Sequence, residues 1–202
     1  MMPNAALMQH IDARQYDLLI ISEPLRKSYQ QGVPFLGDSV TQVCEWIARQ
    51  SFIKDYRQTR TIGSSAGGYA AVICGYRLGS DMAVSVGGRF PSERHFMKIL
   101  KMSITLYQAR KTGKCANVIM SFDANKTRDR NYARIMSWLG RCRPFAIQFS
   151  DEKVGHKILQ RLIERGELSA YFSHTILSEQ PSPASGAAKN VTLILPENKV
   201  VS

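Results

Sequence analysis

The stretch Thr59–Gly79 reads TRTIGSSAGGYAAVICGYRLG, and its three parts ask for three conformations in turn. Thr59, Thr61 and Ile62 are β-branched and favour a strand. Gly63–Gly67 is a G-x-S-x-G. From Ala66 to Leu78 the chain is small and apolar enough to form a helix packed under a sheet. A strand, a sharp turn and a helix around G-x-S-x-G make the setting of a nucleophile elbow, whose central serine sits at a strained junction with its hydroxyl raised above the sheet. Glycines two before and two after it let the strand and helix backbones pass without a Cβ clash. Ser65, and not Ser64, has glycine at both positions. The helix N-terminus behind it leaves unpaired N–H groups aimed at developing negative charge, and the Ala66 N–H comes with the elbow. A glycine- and serine-rich turn with no chemistry fits the same letters, so the reading leans on partners elsewhere in the chain.

Upstream, Asp17–Ser22 is a continuous apolar run suited to a buried parallel strand. Glu23–Gly37 is a long loop holding Pro24, Gly32, Pro34 and Gly37, with Tyr29 and Phe35 as its aromatics. Asp38-Ser39 starts a helix whose apolar face is Val40, Val43, Cys44, Trp46 and Ile47. Downstream, strands are predicted at Met82–Val86, Ala116–Phe122 and Pro144–Phe149. Helices are predicted from Ser92 to about Lys111, from Asp129 to Leu139, and from His156 to near Gly166. The first of these lines its apolar side with Phe96, Ile99, Leu100, Ile104 and Tyr107. Strands alternating with helices imply an α/β fold, a mainly parallel sheet of about five to six strands with helices on both faces. Residues 1–177 read as one domain and 178–202 as a flexible tail, within which Val191–Leu195 is apolar enough for an added edge strand.

In such a sheet the site lies at the carboxyl ends of the strands. A serine hydroxyl needs a base, and the base an orienting acid. The loop after Phe149 holds Asp151, Glu152 and His156, and the loop after Phe122 holds Asp123 and Asp129. Ser65 in GSSAGG, Asp129 in TRDRNYARI and His156 in GHKILQRLIERGEL follow the order Ser, Asp, His. Together they resemble the α/β-hydrolase superfamily. With GVPFLGDSV before the second helix, the chain is similar to a small bacterial branch associated with polysaccharide and glycan biosynthesis. The resemblance covers about Leu18 to Tyr171. It implies Ser65 as nucleophile, His156 as general base and Asp129 as its orienting carboxylate. Asp129 also fits a plain helix cap with Asp123 as the acid, and His95, His10 or His174 are the other histidines a base could come from. The superfamily takes its second oxyanion N–H from a loop after a strand that precedes Leu18, and no convincing strand is found there. A second donor near Ser22-Glu23 is the expected substitute.

The resemblance thus implies a serine esterase acting on a carboxylic ester, with an acyl group on a glycan or another anionic acceptor as substrate, and no metal or organic cofactor. An acyltransferase would use the same residues. A catalytically weak protein that binds a glycan or a partner enzyme is the alternative from another class. The net charge of +11 gathers between Arg89 and Arg161, where 16 Lys and Arg stand against 5 Asp and Glu; elsewhere there are 11 of each. Such a field suits anionic partners, with Arg89–Lys114 expected at the mouth of the site. Nucleic acid is not an expected partner, since no recognised motif accompanies the charge. No apolar run approaches a membrane span, no secretory signal is visible, and Cys44, Cys74, Cys115 and Cys142 lack metal-site spacing. They read as reduced core thiols of a cytoplasmic protein.

Overall fold

The computed structural model describes residues 9–12, 14–23, 29–50, 53, 55–88, 96–149, 158–178 and 191–194. Its centre is a parallel sheet of β1 (Arg60–Ser64), β2 (Met82–Val86), β3 (Asn117–Asp123) and β4 (Arg143–Gln148), side by side in sequence order. Short β5 (Val191–Ile194) pairs in parallel with β4, so this part of the expected tail is the edge strand. The connections are helices. Helix α1 (Val40–Ala48) precedes the sheet, while α2 (Ala66–Leu78), α3 (Phe96–Thr112) and α4 (Thr127–Gly140) join β1 to β2, β2 to β3 and β3 to β4. Helices α5 (Ile158–Glu164) and α6 (Leu168–His174) follow β4.

Alternation along the strands divides the core in two. Ala83, Val118, Met120 and Phe122 face α2, α3 and α4. Met82, Val84, Ile119, Phe145 and Ile147 face α5 and α6. The expected α/β class, with helices on both faces, is therefore what the chain forms. Two bonds from α2 tie the first layer together: Tyr69 Oη donates to the Met102 carbonyl at 2.8 Å, and Tyr76 Oη to the Gly140 carbonyl at 2.5 Å. On the second face, Tyr171 Oη donates to Ser121 Oγ at 2.7 Å.

The sheet body is smaller than expected, because Asp17–Ser22 forms no regular element and joins no ladder. Leu18, Leu19 and Ile20 stay 41–51 % exposed. An apolar run shows that a segment can be buried, not that a strand waits beside it. Side chains hold this segment instead. The Arg60 guanidinium lies over the Tyr16 ring, Tyr56 Oη donates to the Asp17 carboxylate, and Tyr29 Oη donates to the Ile21 carbonyl.

Three further expectations need correction. Helix α3 buries Met102, Leu106 and Ala109, while Leu100, Ile104 and Tyr107 of its expected apolar side are exposed. The helix has two apolar stripes, and periodicity alone does not choose between them. Helix α6, which buries Leu168, Tyr171 and Phe172 at helical spacing, is an addition to the expected elements. Cys44 and Cys74 are joined as a disulfide, and only Cys115 and Cys142 are free thiols. Sequence spacing does not reveal that α1 lies against α2, which brings the two Cα atoms to 5.4 Å, within reach of one bridge. The expectation of a cytoplasmic protein thereby loses the reduced thiols that supported it. Among the described residues, no helix is long and apolar enough to cross a membrane.

Candidate active site

Strand β1 runs straight into α2, and Ser65 is the joint. Its backbone sits at φ 51°, ψ −115°, a region costing on the order of 1–3 kcal/mol for a residue with a Cβ. Neighbouring bonds hold it there. The Ser65 N–H donates to the Val86 carbonyl on β2 at 2.9 Å, and the Ser65 carbonyl accepts from the Gly68 N–H at 3.2 Å. Ser64 is the last residue of β1 and is more exposed. Ser65 is half-buried at the carboxyl end of the sheet. The Ala66 N–H opens α2, and among the described residues it has no backbone acceptor.

The glycines divide the work differently from the motif. A Cβ on Gly63 would collide with the Gly67 carbonyl, so this glycine is required. A Cβ on Gly67 would meet only the Tyr29 ring, at 3.9 Å. Gly68 is the close-contact glycine, since a Cβ there would lie 2.5 Å from Ser85 Oγ and 2.8 Å from Gly88 Cα. The two residues of a G-G pair cannot be ranked from sequence without knowing which faces the strand.

Tyr29 is the residue the sequence noted but gave no role. It adopts φ 60°, its N–H donates to Glu23 Oε2 at 3.0 Å, and its ring lies beside Gly67 at the start of α2. Burial, and then the Glu23 charge, raise its phenol above the ordinary range. The loop expected to supply a second oxyanion donor is thus next to the elbow, with the Glu23 carboxylate turned to Tyr29. Pro24–Ser28, numbers 24–28, lie outside the described residues.

Because the sheet is parallel, the connections after β1, β3 and β4 leave from the same end. Ser64, Val86 and Ser121 are register partners across β1, β2 and β3. With strands spaced ~4.8 Å apart, β3 lies about 10 Å from β1. A carboxylate after β3 therefore needs an intermediate base to act on Ser65. Two are present. Asp129 is the third residue of α4 and is buried on its inner side with Ala133 and Met136. It is neither the cap nor the start of that helix; Lys126 is the N-cap residue. Asp123 ends β3 fully buried, its Oδ1 accepts the Asn125 N–H at 2.9 Å, and burial raises its carboxyl pKa. Alternation puts Asp123 on the side of α5 and α6, whereas Asp129 comes from the side of α2. Asn125 Nδ2 donates to the Phe149 carbonyl at 2.7 Å, tying the acid-bearing loop to the end of β4.

His156, Asp151 and His95 lie outside the described residues. His10 and His174 are engaged on α6, with Ser169 Oγ and the Ala170 carbonyl respectively. Of the basic segment expected at the mouth, the far end of α3 and the turn after it lie away from the site. Arg89 and Arg94 lie outside the described residues, and α3 runs from the site end of the sheet to the opposite end, carrying Lys111 and Lys114 away. Among the described residues, no three His, Cys, Asp or Glu side chains cluster as a metal site would need. Burial pushes the Cys115 thiol up to about 11. Comparison with protein-family models, curated proteins and solved structures finds no match to this chain.

Proposed function

We propose that the protein is a serine hydrolase cleaving a carboxylic ester. The observation that carries this reading is the backbone of Ser65, held at φ 51°, ψ −115° between β1 and α2. A non-glycine residue is kept in such a region only when its surroundings over-determine it, and such strain clusters at sites that do chemistry. In this reading Ser65 Oγ attacks the acyl carbonyl and His156 takes its proton. The Ala66 N–H stabilises the oxyanion, and water then releases the acyl group. Asp129 orients the imidazole, as the α/β-hydrolase resemblance implies. Asp123 competes for that role, because α5, which the His156 loop enters, packs on its side of the sheet. An acyl group on a glycan is the substrate suggested by the resemblance, and an acyltransferase would use the same residues with an acceptor hydroxyl replacing water.

One observation favours a second reading, a catalytically weak glycan- or partner-binding protein. Among the described residues no strand lies on the outer side of β1, so the sheet fixes no second oxyanion donor beside Ser65. Loss of one donor costs about 10²–10³ in rate where it has been measured. Labelling with a fluorophosphonate probe, followed by mass spectrometry, separates the two. A hydrolase gives a single adduct at Ser65 that vanishes on heat denaturation; no adduct leaves the binding protein.

A further inference from the structure

Helix α3 is apolar on two sides. Met102, Leu106 and Ala109 are buried in the core. On the outside Met97, Leu100, Ile104 and Tyr107 succeed one another at steps of three, four and three residues, and all are exposed, Met97 by 72 %. Helix α4 lies alongside, with Arg110 Nη1 donating to the Trp138 carbonyl at 3.3 Å. It adds exposed Ile135 and a 79 % exposed Trp138. Single exposed apolar residues are ordinary, but a set shared by two adjacent helices marks an interaction surface. Cations surround it. Lys101, Lys111 and Lys114 are exposed on α3 and the turn after it, and Arg130, Arg134 and Arg141 on α4 and its end. The two helices contain one acid, Asp129, and it is buried.

We propose that this face of α3 and α4 docks on the surface of an anionic lipid bilayer. Lysine and arginine are drawn to anionic headgroups, while Trp, Tyr and aliphatic side chains settle at the boundary between headgroups and acyl chains. A second copy of the chain fits poorly, since a symmetric contact would set these cations against themselves. A nucleic acid would use the cations but leave Met97, Leu100 and Ile104 without a role. One acidic helix from another protein, about 10 Å wide, would cover part of a positive field that spans both helices, whereas a plane of headgroups covers all of it. The proposal rests on this surface and not on the chemistry of Ser65.

The test mixes the full chain with vesicles of phosphatidylcholine alone and with vesicles one-third phosphatidylserine. Co-sedimentation is expected with the second only, falling with added salt. The double variant Lys101→Glu, Arg134→Glu should bind at least about tenfold more weakly. The chain has two tryptophans, so Trp46→Phe leaves Trp138 as the sole reporter. Its emission should shift to the blue and be quenched by brominated lipid in the anionic vesicles. Leu100→Ser with Ile104→Ser should weaken binding while near-ultraviolet circular dichroism stays unchanged. The proposal is overturned by absence of binding to the anionic vesicles, or by binding that leaves Trp138 unquenched. It is equally overturned if duplex DNA or polyglutamate binds more tightly than the vesicles, or if sedimentation shows a dimer that shields Trp138 from acrylamide.

Discussion

Helices α2 and α3 follow successive strands and neither has a clean polar face, yet they meet opposite surroundings. Helix α2 is buried without a break from Gly68 to Ile73, with Gly75 and Tyr76 beyond, because the sheet, α1 and α3 surround it. An all-round apolar helix is what such a place requires. Helix α3 has one stripe in the core and a second in the open. The difference teaches that apolar content reports burial only where a neighbour exists to provide it. Where the described residues provide none, as on the outer side of α3, the apolar residues call for another explanation.

The sharpest contrast lies at the N-terminus of α2. Ser65→Ala should lower ester hydrolysis by about 10⁴-fold or more while the thermal midpoint stays close to wild type. Ser64→Ala, one residue earlier in β1, should keep most of the activity. Equal losses would mean that the strained joint is not the nucleophile. Asp129→Asn should cost about 10⁴-fold if that carboxylate sets the tautomer of the base, and Asp123→Asn should leave the rate nearly intact. The reverse result would move the acid to β3. The pH dependence of stability gives a second handle on Asp123. Burial raises its folded pKa above 3.8, so the folded state holds the proton more tightly than the unfolded chain. The stability from this group is present below the unfolded value and lost as pH rises through the folded one. Asp123→Asn should therefore lose stability more steeply than wild type on acidification and be no less stable at neutral pH, as chemical denaturation at a series of pH values would read.

Next in size is the tie between α1 and α2. The Cys44–Cys74 bridge closes a separation of 30 residues, and such a loop contributes about 3.6 kcal/mol. Cys74→Ser should lower stability by that order, and added reductant should bring wild type to the same value. No effect of reductant would mean the thiols are not paired in solution. Leu106→Ala, on the covered stripe of α3, should cost about 2–5 kcal/mol. Gly68→Ala comes below these, at about 1–3 kcal/mol, because its Cβ would press on Ser85 Oγ and the Gly88 backbone. Gly67→Ala should cost less, since the Tyr29 ring leaves ordinary contact distance there.

Much of this was legible. The sequence order of strands and helices carried the α/β class, and Ser39 before Val40 marked a helix start that the structure keeps, with Ser39 Oγ accepting the Gln42 N–H at 3.3 Å. The strand, sharp joint and helix around Ser65 were legible because the β-branched residues before it and the small apolar run after it carry their own local preferences. What escaped depends on neighbours distant in sequence. Asp17–Ser22 had the composition of a strand but found no ladder partner. Cys44 and Cys74 met only because α1 packs on α2. Gly68 outranked Gly67 because Ser85 and Gly88, on and after β2, press on that face of the helix. Asn125 entered the candidate site through a bond to the end of β4, a strand that the loop sequence does not mention.

The smallest expected effect bears most directly on the opening contrast. Ile104 and Leu106 are two residues apart on one helix, one 47 % exposed and the other fully buried. Ile104→Ala removes apolar surface that is already half in water, so its stability change should stay within about 0.5 kcal/mol. Tyr107→Ala should do little more, losing the contact with the Arg110 guanidinium, 5.2 Å from the ring centre, an exposed cation–π pair worth about 0.5–1 kcal/mol. Urea denaturation of the two variants beside Leu106→Ala measures all three on one scale. A large loss at Ile104 would mean that the outer stripe is covered within the folded chain, and α3 would then be buried on both sides, as α2 is. A loss near zero leaves the stripe open to solvent, where its apolar residues stabilise nothing in the monomer and remain available to a surface outside it.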